Sequence, residues 1–288
     1  MDTYNEVYLK ARRRLRAAGI SSHDLEARLI VSAATGKTRE ELLSLSRFYV
    51  TENEIADGVE KMLERRLRGE PVAYIVGEWE FYGIPLVVNE AVLIPRSDTE
   101  VLAEEAIRRL KQRGGKTRLL DLCAGTGAIG LAIAANVPDC RVVLADSSDS
   151  AVAVCRTNML RNRLSRNVTA INVNALEAPP ALLGAFDAIV CNPPYIPTED
   201  LKTLDLSVRD YEPVVALDGG ADGLDFFKAI TQKWPAMLKN GGFIAFECGI
   251  EQAGSVRDIL NESGLVNIAT LMDTQGIERV VVGICSRG

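Results

Sequence analysis

The sequence predicts an α/β fold: a doubly wound, mostly parallel sheet with an antiparallel edge strand, preceded by a small helical domain. Three observations carry this. From Arg118 onward, short apolar runs alternate with helical segments, the pattern of parallel strands joined by crossover helices. The last two strand segments lie too close together for a helical crossover and so must pair antiparallel at the sheet edge. Residues 1 to about 70 read as helices throughout.

In the first helix Leu9, Leu15 and Ala18 are expected on one face. Ser21 or Ser22 caps the next, which carries Leu25, Leu29 and Ile30. Thr38, followed by Arg39-Glu40-Glu41-Leu42-Leu43, opens a third. A fourth starts after Thr51 and runs to Arg68, where Gly69 and Pro71 stop it. Residues 72–77, 79–81 and 84–88 read as extended, with turns at Gly83 and Asn89-Glu90, as a hairpin linking two domains would be. The expected domains are therefore a helical substrate-recognition domain (1–70), a β-hairpin linker (71–96) and a ligand-binding α/β domain (97–288). In the last, seven strands are expected at 119–122, 142–145, 168–173, 186–191, 243–248, 266–272 and 278–285. Helices fall at 128–136, 149–162, near 224–238 and at 252–260. There is no internal repeat and no low-complexity segment.

Length and composition bound the function. The 288 residues suffice for two domains, and 47% hydrophobic with 25% charged content is that of an ordinary soluble protein. No apolar run is long enough to span a membrane, and the polar N-terminus lacks the apolar stretch of a secretory signal. A net charge of −6 argues against binding nucleic acid through its phosphates. The six cysteines are scattered, with no C-x-x-C pair, which reads as reduced thiols in a cytoplasmic protein. His23 is the only histidine, so no metal is expected.

Asp121-Leu122-Cys123-Ala124-Gly125-Thr126-Gly127-Ala128-Ile129-Gly130 lies between strand and helix. Its glycines permit a tight turn and close approach of a ligand to backbone N–H groups. Gly125, Gly127 and Gly130 satisfy G-x-G-x-x-G, and Asp146, 21 residues after Gly125, ends the next strand where a carboxylate can bind both ribose hydroxyls. A nicotinamide dehydrogenase and a methyltransferase fit these residues equally. Asp121 favours the second. A pyrophosphate beside that carboxylate meets like-charge repulsion, whereas S-adenosylmethionine brings an ammonium and a sulfonium. After the third strand comes Asn174-Ala175-Leu176-Glu177. Asn174 or the backbone is expected to meet the adenine amino group, with Leu176 packing on the ring.

Cys191-Asn192-Pro193-Pro194-Tyr195-Ile196-Pro197 follows the fourth strand, on the ligand side of such a sheet. The prolines fix the backbone and keep the Pro193 carbonyl out of any ladder. The Asn192 side-chain oxygen and that carbonyl can both accept from one –NH2 group, and Tyr195 offers a flat face to the planar group that carries it.

The glycine loop followed by Asn-Pro-Pro-Tyr resembles the methyltransferases that act on planar nitrogens, those of DNA and RNA adenine included. More of the chain fits one branch. The stretches 68–75, 80–83, 93–100, Asn192 to Ile196, 211–213 and 216–224 are similar to the release factor glutamine methyltransferases, the HemK/PrmC family. The match runs from about residue 65 to the C-terminus. The helical domain fits by position and type rather than by motif.

The resemblance implies a sheet of the methyltransferase kind and methyl transfer from S-adenosylmethionine, leaving S-adenosylhomocysteine. The target it implies is the side-chain amide nitrogen of the glutamine in the Gly-Gly-Gln loop of class I peptide chain release factors. It places Cys123, Ala124, Gly125, Thr126 and Gly127 on the cofactor, with Asp146 on the ribose, and Asn192, Pro193, Pro194 and Tyr195 as the glutamine clamp. Cys123-Ala124 stand where the family often has Gly-Thr or Gly-Ser, which tightens the backbone there. No general base, no metal, no direct nucleic-acid contact and a monomer are expected.

Arg96 and Glu100 are expected either to shape the cofactor pocket or to form a hairpin-to-helix ion pair, and Glu247, ending the fifth strand, to be structural. The Lys10 to Arg16 run reads as a solvated helix face. The competing functions are a nucleic-acid adenine N6-methyltransferase, a nicotinamide oxidoreductase and a non-catalytic binding module.

Overall fold

The computed structural model describes residues 2–50 and 53–287. The chain divides into two compact units, Met1–Glu78 with Asp205–Tyr211, and Trp79–Leu204 with Glu212–Gly288. No helix of the described residues is long and apolar enough to cross a membrane.

The first unit holds α1 (Tyr4–Ala17), α2 (His23–Thr35), α3 (Arg39–Ser44), α4 (Asn53–Leu67) and α5 (Val72–Val76). The buried face of α1 is Val7, Ala11 and Leu15, a four-residue repeat; Ala18 is exposed and Leu9 only half-buried, so neither belongs to it. In α2 the buried residues are Glu26, Ala27, Ile30 and Val31, and Leu25 faces solvent. Ser22 precedes α2 without capping it, because its hydroxyl donates to the Glu26 carboxylate at 2.8 Å. Buried Glu26 is also ion-paired with Arg66, which pins α2 to α4. Thr38 opens α3 through a reciprocal capping box with Glu41. Thr51, the expected start of the fourth helix, lies outside the described residues. Lys10, Arg12 and Arg14 pair with Asp2, Asp24 and Glu60 of the same unit, so the basic run is a solvated face neutralised locally.

Residues 72–77 are not extended. They form α5, entered from Pro71 and ended by Gly77 in the left-handed conformation (φ 74°). The β-branched residues that suggested a strand are there because Val72, Ala73, Tyr74 and Ile75 are all buried.

The hairpin β1 (Glu78–Phe81) and β2 (Ile84–Val87) opens the second unit, apart from Glu78 at its start. Tyr82 and Gly83 turn it with φ of 52° and 73°, the pair of positive angles of a type I′ two-residue turn. Then follow α6 (Glu100–Arg113), β3 (Thr117–Leu122), α7 (Ala128–Asn136), β4 (Cys140–Asp146), α8 (Asp149–Arg161), β5 (Val168–Asn172) and β6 (Phe186–Cys191). The chain ends with α9 (Leu206–Arg209, in the first unit), α10 (Asp225–Lys233), β7 (Leu238–Glu247), α11 (Ala253–Glu262), β8 (Val266–Met272) and β9 (Glu278–Ile284). Helix α6 has no counterpart in the sequence reading, although Leu102, Ala103, Ala106, Ile107 and Leu110 mark its buried stripe.

The seven strands run in the order β5-β4-β3-β6-β7-β9-β8. Every pairing is parallel except those of β9, which is antiparallel to both neighbours and lets β8 close the edge. The core beneath α10 and α11 is built on Trp234, Phe186, Phe227 and Phe246. Chain order reverses between β3 and β6, which opens a crevice at the carboxyl ends of those strands.

Candidate functional site

Register brings the sequence motifs together at that crevice. Leu122 pairs with both Ala145 and Cys191, so the residues that follow, Cys123, Asp146 and Asn192, come out along one sheet edge. A cleft of about 440 Å³ opens there, large enough for a nucleoside-sized ligand. Cys123, Ala124, Gly125, Thr126, Asp146, Leu176, Asn192 and Pro194 line it; Gly127, Pro193 and Tyr195 do not.

The glycine loop is held from several sides. Ala124 N–H donates to the Ala145 carbonyl at 3.1 Å and Gly127 N–H to the Ala124 carbonyl at 2.7 Å. Asp146 accepts the Gly125 N–H at 2.8 Å and the Ser148 N–H at 3.0 Å. Asn158, fully buried in α8, donates to the Thr126 carbonyl at 3.0 Å. Cys123 sits at φ 57°, a left-handed conformation that costs a non-glycine residue about 1–2 kcal/mol. A glycine would adopt this conformation without that cost. Gly125 is also left-handed, and a Cβ there would meet nothing within 4 Å, so its Cα faces open space on the cleft wall.

Asp121 lies beneath the loop rather than on the wall. It is fully buried, and its Oδ2 accepts the Gly130 N–H at 2.8 Å while Oδ1 has no partner among the described residues. Burial pushes its carboxyl up to about 7, against the Gly130 N–H, and the charge of Asp146 adds to the rise. It is therefore separated from the cleft by the loop and does not line it.

Asn174 is engaged locally: its oxygen accepts the Leu176 N–H at 2.9 Å and its amide donates to Glu177 at 3.3 Å. Leu176 remains 36% exposed on the cleft wall.

The segment after β6 is locked by backbone contacts. Ile196 N–H donates to the Leu217 carbonyl at 3.0 Å and Gly219 N–H to the Ile196 carbonyl at 2.8 Å. A Cβ on Gly219 would lie 2.7 Å from the Tyr195 Cα, and one on Gly223 2.3 Å from the Tyr195 carbonyl. The glycines of 219–223 are thus what lets this stretch lie directly on Tyr195. Gln252 donates to the Tyr195 carbonyl at 2.9 Å. Asn192 lines the cleft and donates its amide NH2 to the Thr99 hydroxyl at 3.4 Å, which leaves its oxygen unpartnered. The Tyr195 hydroxyl donates to Glu247 at 3.4 Å, and burial holds the phenol well above its ordinary range.

Arg96 and Glu100 do not pair with each other. Glu100 accepts the Tyr82 N–H at 2.9 Å, and Arg96 pairs with buried Glu212. That second pair ties residue 96 to residue 212, next to two stretches of the cleft rim, 91–95 and 213–216. Thr99, Asn158 and Glu212 went unassigned in the sequence because their roles rest on partners 93, 71 and 116 residues away. Among the described residues no group of three or more His, Cys, Asp or Glu could hold a metal.

Residues 6–77 match the family described as PrmC N-terminal domain, and residues 99–206 the family described as Methyltransferase small domain. A release factor glutamine methyltransferase of Geobacter sulfurreducens is 39% identical over 269 residues, covering 93% of this chain and 92% of the relative. One of Caulobacter vibrioides is 36% identical over 284 residues, covering 98% and 96%. Among solved structures, a methyltransferase from Pyrococcus furiosus superposes with a TM-score of 0.54 at 16% identity, covering 79% of this chain and 100% of that one, which shows a shared fold.

Proposed function

The chain belongs to the release factor glutamine methyltransferase family, and from that premise we propose that it moves a methyl group from S-adenosylmethionine to the side-chain amide nitrogen of the glutamine in the Gly-Gly-Gln loop of class I peptide chain release factors. One observation carries this reading: Asn192, whose amide oxygen is unpartnered, lines the same cleft as the glycine loop and Asp146.

The residues present suit S-adenosylmethionine. Cys123 to Gly127 form a backbone cradle, Gly125 leaves space where a side chain would intrude, and Asp146 keeps a lone pair on each oxygen for ribose hydroxyls. Leu176 supplies an apolar face for the adenine. When bound, the cofactor supplies an electrophilic methyl group carried on a sulfonium.

An amide nitrogen is a weak nucleophile, since its lone pair is delocalised into the carbonyl. Asn192 and the Pro193 carbonyl accept from its –NH2 group, which aims the nitrogen and stabilises the positive charge that develops there. Orientation of this kind is worth about 7–11 kcal/mol in well-aligned cases. No general base is needed, and the proton leaves to water. The helical unit we assign to recognition of the protein partner.

The test is transfer of labelled methyl from S-adenosylmethionine to release factor, DNA and RNA in parallel, with calorimetry against S-adenosylmethionine and NAD. Label on the Gly-Gly-Gln glutamine is the expected result. Label on nucleic acid alone, or binding of NAD in place of S-adenosylmethionine, overturns it.

A further inference from the structure

Gln252 is half-buried at the junction between β7 and α11. The turn before it contains Glu251 at φ 67°, a left-handed conformation that is unfavourable for a non-glycine residue. Two bonds close this turn. Gln252 N–H donates to the Gly249 carbonyl at 3.2 Å, and Gly249 N–H donates to Gln252 Oε1 at 2.8 Å. The other end of the same amide leaves the turn: Nε2 donates to the Tyr195 carbonyl at 2.9 Å and to the Gly223 carbonyl at 3.5 Å. One side chain thus joins the turn after β7, the Asn-Pro-Pro-Tyr segment and the glycine stretch 219–223.

These partners fix the direction of the amide. A backbone N–H only donates and a carbonyl only accepts, so the oxygen must face Gly249 and the NH2 must face Tyr195 and Gly223. Space adds a second constraint. Gly249 is buried and is not left-handed, so its φ does not require glycine. A Cβ there would lie 2.8 Å from Gln252 Oε1 and 3.3 Å from Tyr195 Cδ2. The Gln252 amide and the edge of the Tyr195 ring therefore both rest against Gly249.

Building on the function proposed above, we infer that Gln252 is a positioning residue for methyl transfer: by holding the Tyr195 carbonyl against the Gly249 turn, it sets the tilt of the ring offered to the target amide.

Tyr195 is anchored at three points: its carbonyl by Gln252, its ring edge by Gly249 and its hydroxyl by Glu247. The hydroxyl bond is long at 3.4 Å, so the 2.9 Å bond from Gln252 is the firmer of the two polar anchors. Pro193 and Pro194 before Tyr195 have no N–H to bond, and Ile196 after it is held through its own N–H and carbonyl by residues 217 and 219. The Tyr195 carbonyl alone of these anchors is held by a side-chain amide, so substitution at 252 releases it and leaves the backbone contacts of Ile196 in place. None of Tyr195, Gly223, Gly249 and Gln252 lines the cleft, so this support is separate from the contacts that hold the glycine loop and Asp146.

The experiment is single-turnover methyl transfer to release factor at saturating S-adenosylmethionine for wild type, Gln252→Met, Gln252→Glu, Gly249→Ala and Tyr195→Ala, with Gln252→Met also made in the Tyr195→Ala background. Methionine keeps the length of the side chain and loses both ends of the amide. Glutamate keeps the acceptor for Gly249 and sets a second acceptor against two carbonyls. Gln252→Met, Gln252→Glu and Gly249→Ala each lower the rate at least about tenfold, with S-adenosylmethionine affinity within about twofold of wild type by calorimetry. In the Tyr195→Ala background Gln252→Met lowers the rate by no more than about twofold further, because the ring it places is gone. Near wild-type transfer in Gln252→Met, or the same fold-loss from it with and without the Tyr195 ring, overturns the inference and leaves the function standing. A matching loss of S-adenosylmethionine affinity marks Gln252 as general support of the fold and overturns it too. Failure of the wild-type protein to label release factor overturns the function itself, and this inference with it.

Discussion

Asp146 Oδ2 accepts the Gly125 N–H at 2.8 Å, so the carboxylate proposed to bind the ribose is also a strut of the glycine loop. Its second oxygen holds Ser148 N–H at the entry to α8. Asp146→Ala is therefore expected to weaken S-adenosylmethionine binding by about 1.5–3 kcal/mol, roughly 10- to 150-fold in Kd. Asp146→Asn is no rescue: one of its two ends becomes a donor facing a backbone donor. Calorimetry checks both, and unchanged affinity in Asp146→Ala would remove the residue from the ribose.

Asn158 joins three pieces of chain from inside α8. Its oxygen accepts the Val87 N–H at 2.6 Å, and its amide donates at 3.0 Å to both the Val87 and Thr126 carbonyls. Asn158→Ala strands a buried N–H and two carbonyls beside a new cavity. A loss of about 2–3 kcal/mol is expected in denaturant unfolding, along with weaker cofactor binding because Thr126 belongs to the loop. A variant as stable as wild type would show that water replaces the amide at no cost.

Asp121 makes stability depend on pH with a definite sign. Its folded carboxyl stands at about 7 against an ordinary 3.8, so between those values the folded state holds a proton that the unfolded chain has lost. Stability contributed by this group therefore falls as pH rises from about 4 to about 7 and is flat above. Asp121→Asn keeps an oxygen for the Gly130 N–H and removes the charge. It is expected to flatten that slope and to be more stable than wild type at pH 8, by thermal unfolding. Glu247, also at about 7, contributes a slope of the same sign that remains in this variant. An identical pH dependence with and without Asp121 would mean that its carboxyl does not titrate there.

The strands and crossover helices of the sheet were legible because each is a short apolar run or an amphipathic stripe bounded by turn residues. β6 and α7 begin and end where periodicity put them. Helix α5 was not, since its residues are buried all round and β-branched, so period and propensity both pointed to a strand; Pro71 before it and Gly77 after it were the usable signals. The stretch 198–216 was illegible for another reason: its short helical turns carry no periodic stripe, and it is held by backbone contacts such as Thr198 with Gly220. At the site, the motif residues were visible as motifs. Their supports, Thr99, Asn158 and Glu212, act across long sequence separations that spacing cannot reveal.

Asn192 is where the function is most exposed to test. Its NH2 donates one bond to Thr99, and its oxygen is left unpartnered. Asn192→Ala deletes that acceptor, and losing a preorganised group of this kind typically costs about 10²–10³ in turnover. Cofactor affinity should change far less, because Asp146 and the loop are held by contacts that do not involve residue 192. Asn192→Asp keeps an acceptor, loses the bond to Thr99 and adds a charge, so partial activity is expected. Tyr195→Phe gives up only the 3.4 Å bond to Glu247 and should be mild, whereas Tyr195→Ala removes the flat face and should be severe. The measurement is single-turnover transfer at saturating S-adenosylmethionine. If Asn192→Ala methylates the Gly-Gly-Gln glutamine at a near wild-type rate, the Asn-Pro-Pro-Tyr segment is a structural turn and the proposed mechanism fails, even if the protein is a methyltransferase.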